Sequence, residues 1–127
     1  MFKSAIPVLH VRRTAAAEEF YCGRLGFRRR FAYRPDASSP DPCYMGLERE
    51  GVWLHVSSFS GDGVAGGVAL LTVEDVDALH AELVAGGVSV ALAPTDQTWG
   101  NREMYVKDED GNSVRFVQAR EAADERR

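Results

Sequence analysis

The stretch Val68-Ala69-Leu70-Leu71-Thr72-Val73, followed by Asp75, a helical segment and Gly86-Gly87-Val88, repeats an earlier plan. That plan begins with Ile6-Pro7-Val8-Leu9-His10-Val11 and closes on Leu25-Gly26-Phe27. Val11 and Val73 hold matching places 62 residues apart, and Gly26-Phe27 matches Gly87-Val88. Each copy reads as strand, helix, then three strands. A half-domain unit used twice implies pseudo-twofold symmetry. Two short sheets, each covered on one face by its helix, leave their other faces to enclose a cleft. The expected fold class is therefore α+β, with two βαβββ modules forming a half-barrel around that cleft.

Outward from the repeat, the remaining elements follow from spacing. Residues 6–11 are a strand, and Pro7, lacking an N–H, places it at a sheet edge or at a crossing between subunits. Thr14 is positioned to cap a helix over 15–24. Ala17, Phe20, Tyr21 and Arg24 fall at helical spacing and mark its inner stripe. Gly26, free to take positive φ, ends it. A strand follows over 27–33. Residues 35–43 contain Pro35, Pro40 and Pro42 and read as a loop that covers the cleft. Strands at 44–47 and 52–58 form a hairpin about Arg49-Glu50-Gly51. Residues 60–67, with four glycines, read as a flexible join.

In the second copy, a strand over 68–73 precedes a helix capped by Asp75 and stopped by Gly86-Gly87. Val76, Leu79 and Leu83 form its apolar stripe. A strand over 88–92 follows. Strands at 102–107 and 113–118 flank Asp108-Glu109-Asp110-Gly111-Asn112, a turn-forming run. The whole chain, 1–127, reads as one domain, with module one about 4–59, module two about 67–119, and a flexible tail at 120–127.

Period two sorts the strand faces. Leu9, Val11, Val52, Leu54, Val56, Ala69, Leu71, Val73, Val114 and Phe116 are placed under the helices. The opposite faces carry Ile6, Val8, His10, Trp53, His55, Ser57, Val68, Leu70, Thr72, Ser113 and Arg115. A face mixing polar with apolar groups suits a small-molecule site.

Composition narrows the partners. The 127 residues are 45% hydrophobic with a formal charge of −4, which argues against nucleic acid and is better suited to a cationic small molecule. Arg28, Arg29 and Arg30 read as a solvated strand edge. Cys22 and Cys43 lack C-x-x-C spacing, so no zinc knuckle or redox motif is expected. The first residues contain no long apolar run, and neither a signal peptide nor a membrane span is expected. A reducing cytoplasm and two free thiols follow. Cys22 is expected to be buried and inert, and Cys43 to face the cleft at the loop's end.

Three stretches resemble the vicinal oxygen chelate superfamily of glyoxalases, extradiol dioxygenases and bleomycin-resistance proteins. They are Ile6-Pro7-Val8-Leu9 with Phe20-Tyr21 and Arg24-Leu25-Gly26-Phe27, residues 68–87, and Trp99-Gly100-Asn101-Arg102-Glu103 with Lys107-Asp108-Glu109-Asp110-Gly111-Asn112. The combination of the first and third is similar to the bleomycin-resistance branch. In the superfamily's enzymes, inward residues of four strands hold a divalent metal. The resemblance places those positions at Ile6, a residue near His55, Val68 and Arg115. Two aliphatic residues and a cation are poor company for a divalent ion. His10 lies farther along the same face, and His80 lies on the second helix. The implied reading is a binding protein without cofactor or metal, which sequesters a planar, cationic, antibiotic-like molecule. The alternative is a glyoxalase-like or dioxygenase-like enzyme of the same fold.

The resemblance places aromatic ligand contacts at Tyr44 and Trp99. A ligand cation would also gain from the face of Trp53 or Trp99. Tyr44 and Trp53 have core filling as their alternative role. His55 is either a base or hydrogen-bond donor toward a ligand, or a packed and satisfied histidine. Ser57 shares its face. Glu103, sharing a face with Tyr105 and Lys107, takes a ligand ammonium or pairs with Arg115 or Arg102. Relatives of this size pair as homodimers, often exchanging the N-terminal strand at a proline, and Pro7 matches that place.

Overall fold

The computed structural model of the chain describes residues 1–120, so the tail expected beyond 120 lies outside the described residues. The chain divides into two compact units. The first is Met1–Gly67 with Asp108–Asn112, and the second is Val68–Lys107 with the chain from Ser113 onward.

The first unit contains β1 (Val8–His10), α1 (Thr14–Glu18) running on as a π-helical turn (Glu19–Arg24), β2 (Arg28–Tyr33), β3 (Tyr44–Arg49) and β4 (Val52–Ser57). The sheet order is β1-β4-β3-β2. Strand β1 runs parallel to β4, pairing Val8 with His55 and His10 with Ser57. The ladder begins at Val8, two residues later than periodicity suggests, because Pro7 has no N–H; its carbonyl still accepts from His55 N at 3.0 Å. Pro7 therefore adjoins an edge strand, as expected. Arg28, Arg29 and Arg30 lie exposed on β2, the other edge.

Two features of the helix differ from the sequence reading. Thr14 is not its cap: Arg13 holds that place with no side-chain bond. Asp41 takes the Thr14 hydroxyl at 2.8 Å and also accepts from the Thr14 N–H, drawing the side chain toward the end of the 35–43 loop. The inner stripe is also narrower. Ala17 and Tyr21 are buried, whereas Phe20 is half-buried and Arg24 exposed, because the widened turn breaks the 3.6-residue spacing. Gly26, at φ +81°, ends the element as expected.

Asp41 also accepts from Ser58 Oγ at 2.6 Å, so the loop's end is tied down. Burial pulls its carboxyl upward, but hydrogen bonds from Ser58 and Thr14 outweigh this and leave it below the usual range. The next residue but one, Cys43, is fully buried, against the expectation that it faces a cleft. Cys22 is half-buried, and burial pushes its thiol upward; both cysteines are free. Glu50 and Gly51 both take positive φ (52° and 84°), the two-residue turn whose twist suits a hairpin. Val52, beside that turn, is exposed rather than packed.

The Asp108–Asn112 turn belongs to this first unit, with Asp108 and Asn112 buried at its two ends. Asn112 is fully buried. Its Nδ2 donates to His10 O at 2.9 Å, and its Oδ1 accepts from Gly66 N and Gly67 N. Asp108 accepts from Tyr21 OH at 2.8 Å and from the backbone N–H groups of Asp110 and Asn112. Burial, then the neighbouring Asp108 charge, pushes the Tyr21 hydroxyl far above its ordinary range.

The second unit contains β5 (Val68–Thr72), α2 (Val76–Ala85), β6 (Val90–Asp96), β7 (Arg102–Lys107) and β8 (Ser113–Gln118). Its order, β5-β8-β7-β6, repeats that of the first. The two βαβββ modules expected from the repeat are present. Asp75 caps α2, accepting from Ala78 N at 3.0 Å. Val76 and Leu83 are buried and Leu79 half-buried. Strand β6 starts at Val90 and runs to Asp96, with two register shifts against β7 that a simple alternation does not anticipate. Val73, one residue past β5, is half-buried rather than buried. No helix among the described residues is long and apolar enough to cross a membrane.

Candidate functional site

In the first unit, the sheet face away from the buried Leu54 and Val56 carries an aromatic cluster centred on His55. Tyr44 OH and His55 Nδ1 lie 2.8 Å apart. The Phe31 ring meets His55 edge-on at 5.4 Å between centroids and stacks on Tyr44 at 6.3 Å, with planes 8° apart. Trp53 meets His55 edge-on at 6.1 Å. Burial holds the His55 imidazole below its ordinary value, favouring the neutral ring. Burial, then the Asp62 charge, raises the Tyr44 hydroxyl.

Phe31 is the residue that strand alternation missed. A bulge between Arg29 and Phe31 shifts the β2–β3 register, so Phe31 pairs with Gly46. Its ring lies across the Gly46 backbone, where any Cβ would stand 2.1 Å from Cε2. A glycine amid β3, beside His55 in the next ladder, was the available signal. Tyr33 stacks on Phe59 at 6.1 Å, extending the aromatic surface beyond the expected residues. Phe31 and Tyr33 are 44% and 58% exposed, while Tyr44 and Trp53 are half-buried. Ser57, by contrast, is buried; its hydroxyl donates to Asp62 at 2.7 Å and accepts from Phe59 N.

In the second unit, Glu103 is buried at 4% exposure and accepts from both Trp99 Nε1 at 2.8 Å and Tyr105 OH at 2.6 Å. That hydrogen bond is the main cause raising the Tyr105 hydroxyl above its ordinary range. The ion pair considered for Glu103 is not formed: Arg102 instead pairs with Asp77 at 2.9 Å and Asp96 at 3.2 Å. Arg115, cross-strand from Tyr105, lies over its ring at 4.6 Å. Trp99 is half-exposed.

At the positions that the resemblance assigns to metal ligands, Ile6 and Val68 have no donor atom, Arg115 is a cation, and His55 already meets Tyr44. Those residues do not fit a divalent ion. Among the described residues, no three His, Cys, Asp or Glu side chains converge to hold one. His10 has its Nδ1 buried without a hydrogen-bond partner. A hollow of about 230 Å³ lies elsewhere, beside the π-helical turn, lined by Arg13, Phe20, Arg24 and the 108–110 acids. Those acids already bind Arg12, Arg13 and Tyr21, which leaves the hollow little to offer a ligand.

A family model described as "Glyoxalase superfamily protein" matches residues 1–123. No curated protein matches the sequence. Among solved structures, a bleomycin resistance determinant encoded on the transposon Tn5 superposes with a TM-score of 0.74 at 23% identity, covering 93% of this chain and 98% of that one. A bleomycin-binding protein complexed with bleomycin gives 0.74 at 22% identity, covering 92% and 98%. An antibiotic-binding protein from Streptomyces sp. CB03234 gives 0.68 at 25% identity, covering 94% and 98%.

Proposed function

The chain belongs to the glyoxalase superfamily, and from that premise we propose that it binds and sequesters a planar, antibiotic-like small molecule without transforming it. The observation that carries this reading is the aromatic face of the first sheet, where Phe31 and Tyr33 are exposed and Tyr44 and Trp53 half-buried. Phe31, Tyr44 and Trp53 surround His55 with rings at 5–6 Å spacing. Such faces favour stacked ring systems by about 0.5–1.5 kcal/mol per pair beyond area burial. A cationic group on the ligand gains further over the Trp53 face. Tyr105 on β7 and Trp99 in the turn before it offer a second aromatic surface. Ser57 acts through Asp62 rather than by direct contact.

The antibiotic-binding relative at 25% identity supports the ligand class. The donor types at Ile6, Val68 and Arg115 favour binding over metal-assisted chemistry. We place the protein in a reducing cytoplasm, in keeping with its two unpaired thiols, as one domain of two modules. We also propose a homodimer with N-terminal strand exchange at Pro7, to be checked by light scattering and by disulfide trapping across the pair.

A thermal-shift screen of glycopeptide, enediyne and anthraquinone compounds tests the main reading. The expected result is saturable, stoichiometric stabilisation with quenching of tryptophan fluorescence and recovery of unaltered ligand. Tyr44→Ala and Trp99→Ala should each weaken binding. Unchanged affinity in both variants, or turnover of the bound compound, would overturn it.

A further inference from the structure

We infer that Arg115 is an oxyanion-recognition residue, and that the ligand presents a carboxylate or an equivalent pair of anionic oxygens to it. The inference deepens the planar-ligand reading and rests on it. Arg12, Arg13, Arg29, Arg30, Arg102 and Arg120 each pair with an acid. Arg115 pairs with none among the described residues. Its guanidinium lies over Tyr105, and its Nε is buried without a hydrogen-bond partner. The buried acid of the same sheet cannot serve it, because both Glu103 oxygens are taken by Trp99 and Tyr105.

The arrangement is built to hold the guanidinium in one orientation. Glu103 fixes the Tyr105 hydroxyl, the hydroxyl fixes the ring, and the ring face supports the cation. A planar guanidinium held this way offers paired N–H groups that match the two oxygens of a carboxylate. Leu70 pairs with Arg115 across the parallel ladder and is 57% exposed, while Val68, on the same face, is 53% exposed. This apolar border can take the body of a ring and strengthens a charged hydrogen bond beside it. A buried donor without an acceptor is destabilising, so the place of Nε costs the free protein stability, and the terminal N–H groups of the guanidinium are the ones left to meet a ligand oxygen. Any cationic group on the same ligand is held away from Arg115 by like-charge repulsion.

The test uses naphthoate and its neutral isostere naphthamide, titrated against the full chain by tryptophan fluorescence and thermal shift. Wild type is expected to bind naphthoate about tenfold or more tighter than naphthamide, as for a charge-assisted hydrogen bond. In Arg115→Gln the two probes should reach parity, and in Arg115→Lys part of the preference should survive. Raised salt should weaken naphthoate alone in wild type, which keeps the test decisive if Arg115→Gln does not fold. Parity in wild type, a preference that persists in Arg115→Gln, or no saturable naphthoate binding overturns the inference. Tyr44→Ala separates the two readings. If it moves neither probe while Arg115 still discriminates, the stacking surface is wrong and the oxyanion site stands.

Discussion

The Phe31 ring and the Gly46 backbone are in such close contact that a Cβ on residue 46 would stand 2.1 Å from the ring's Cε2. Because Phe31 is partly exposed, its ring can swing outward instead of straining the sheet. Gly46→Ala is therefore expected to fold, with a stability loss near the low end of the overpacking range, about 1 kcal/mol. Its affinity for planar ligands should fall as far as that of Phe31→Ala. Chemical denaturation and fluorescence titration of the two variants check this. A Gly46→Ala protein with full affinity would show that Phe31 is not part of the binding surface.

His55 supplies a pH prediction. Burial lowers its folded-state value below the ordinary 6.5, so the folded form disfavours the charged ring. The stability this contributes is fully present above pH 6.5 and is lost as the pH falls through the lower, folded-state value. Thermal unfolding of wild type should show that loss below neutrality, and His55→Gln should flatten that part of the profile. Ligand affinity should weaken over the same range if Tyr44 must keep its bond to a neutral imidazole.

The helix stop at Gly26 and the cap at Asp75 were legible in the sequence because each depends on neighbours within a few residues, and the repeat because the same order of local signals recurs 62 residues on. The aromatic site was half legible. Trp53 and His55 sit on regular β4 and follow period two, and Tyr44 was marked by the family resemblance. Phe31 escaped because a bulge on an edge strand moved it out of phase, and a bulge leaves little trace in alternation. The partners of Glu103 were not legible either. Sequence left a ligand ammonium and an ion pair both open, but Trp99 from the turn before β7 and Tyr105 on β7 satisfy the carboxylate instead. Thr14 shows the same limit: the cap position falls to Arg13, and the Thr14 hydroxyl goes to Asp41, a partner 27 positions away.

Asn112 joins His10 O to Gly66 N and Gly67 N from a fully buried position. Asn112→Ala leaves those backbone groups unpaired, and the expected loss is about 2–4 kcal/mol. Tyr21→Phe removes one bond to Asp108, which keeps its others, and should cost about 1 kcal/mol. Urea unfolding of both variants gives the ordering. Equal losses would contradict the central place of Asn112.

Metal content can be tested separately. If Ile6, Val68 and Arg115 occupy positions that cannot ligate an ion, protein purified without chelator should hold only substoichiometric Ni, Zn, Fe or Mn. Prolonged chelation should leave ligand affinity and melting temperature unchanged. Stoichiometric metal whose removal abolishes binding would favour an enzyme of this fold.

Glu103 controls two aromatic groups at once, so its replacement should be read at both. The carboxylate accepts from Tyr105 OH and raises the energy of a second negative charge on the phenol. In Glu103→Gln, Tyr105 should ionise closer to its ordinary value near 10, visible as phenolate absorbance at lower pH. The wild-type shift is upward, so the stability it contributes is present below that ordinary value and lost as the pH rises through the folded-state one. The amide also weakens the bond from Trp99 Nε1, a charge-assisted contact in the wild type, and Trp99 emission should change. If Trp99 helps hold the ligand, affinity should fall in Glu103→Gln with little change in fold, and Glu103→Ala should lower it further. A variant that shifts the Tyr105 titration yet binds as wild type would separate the carboxylate's structural role from ligand recognition and remove Trp99 from the binding surface.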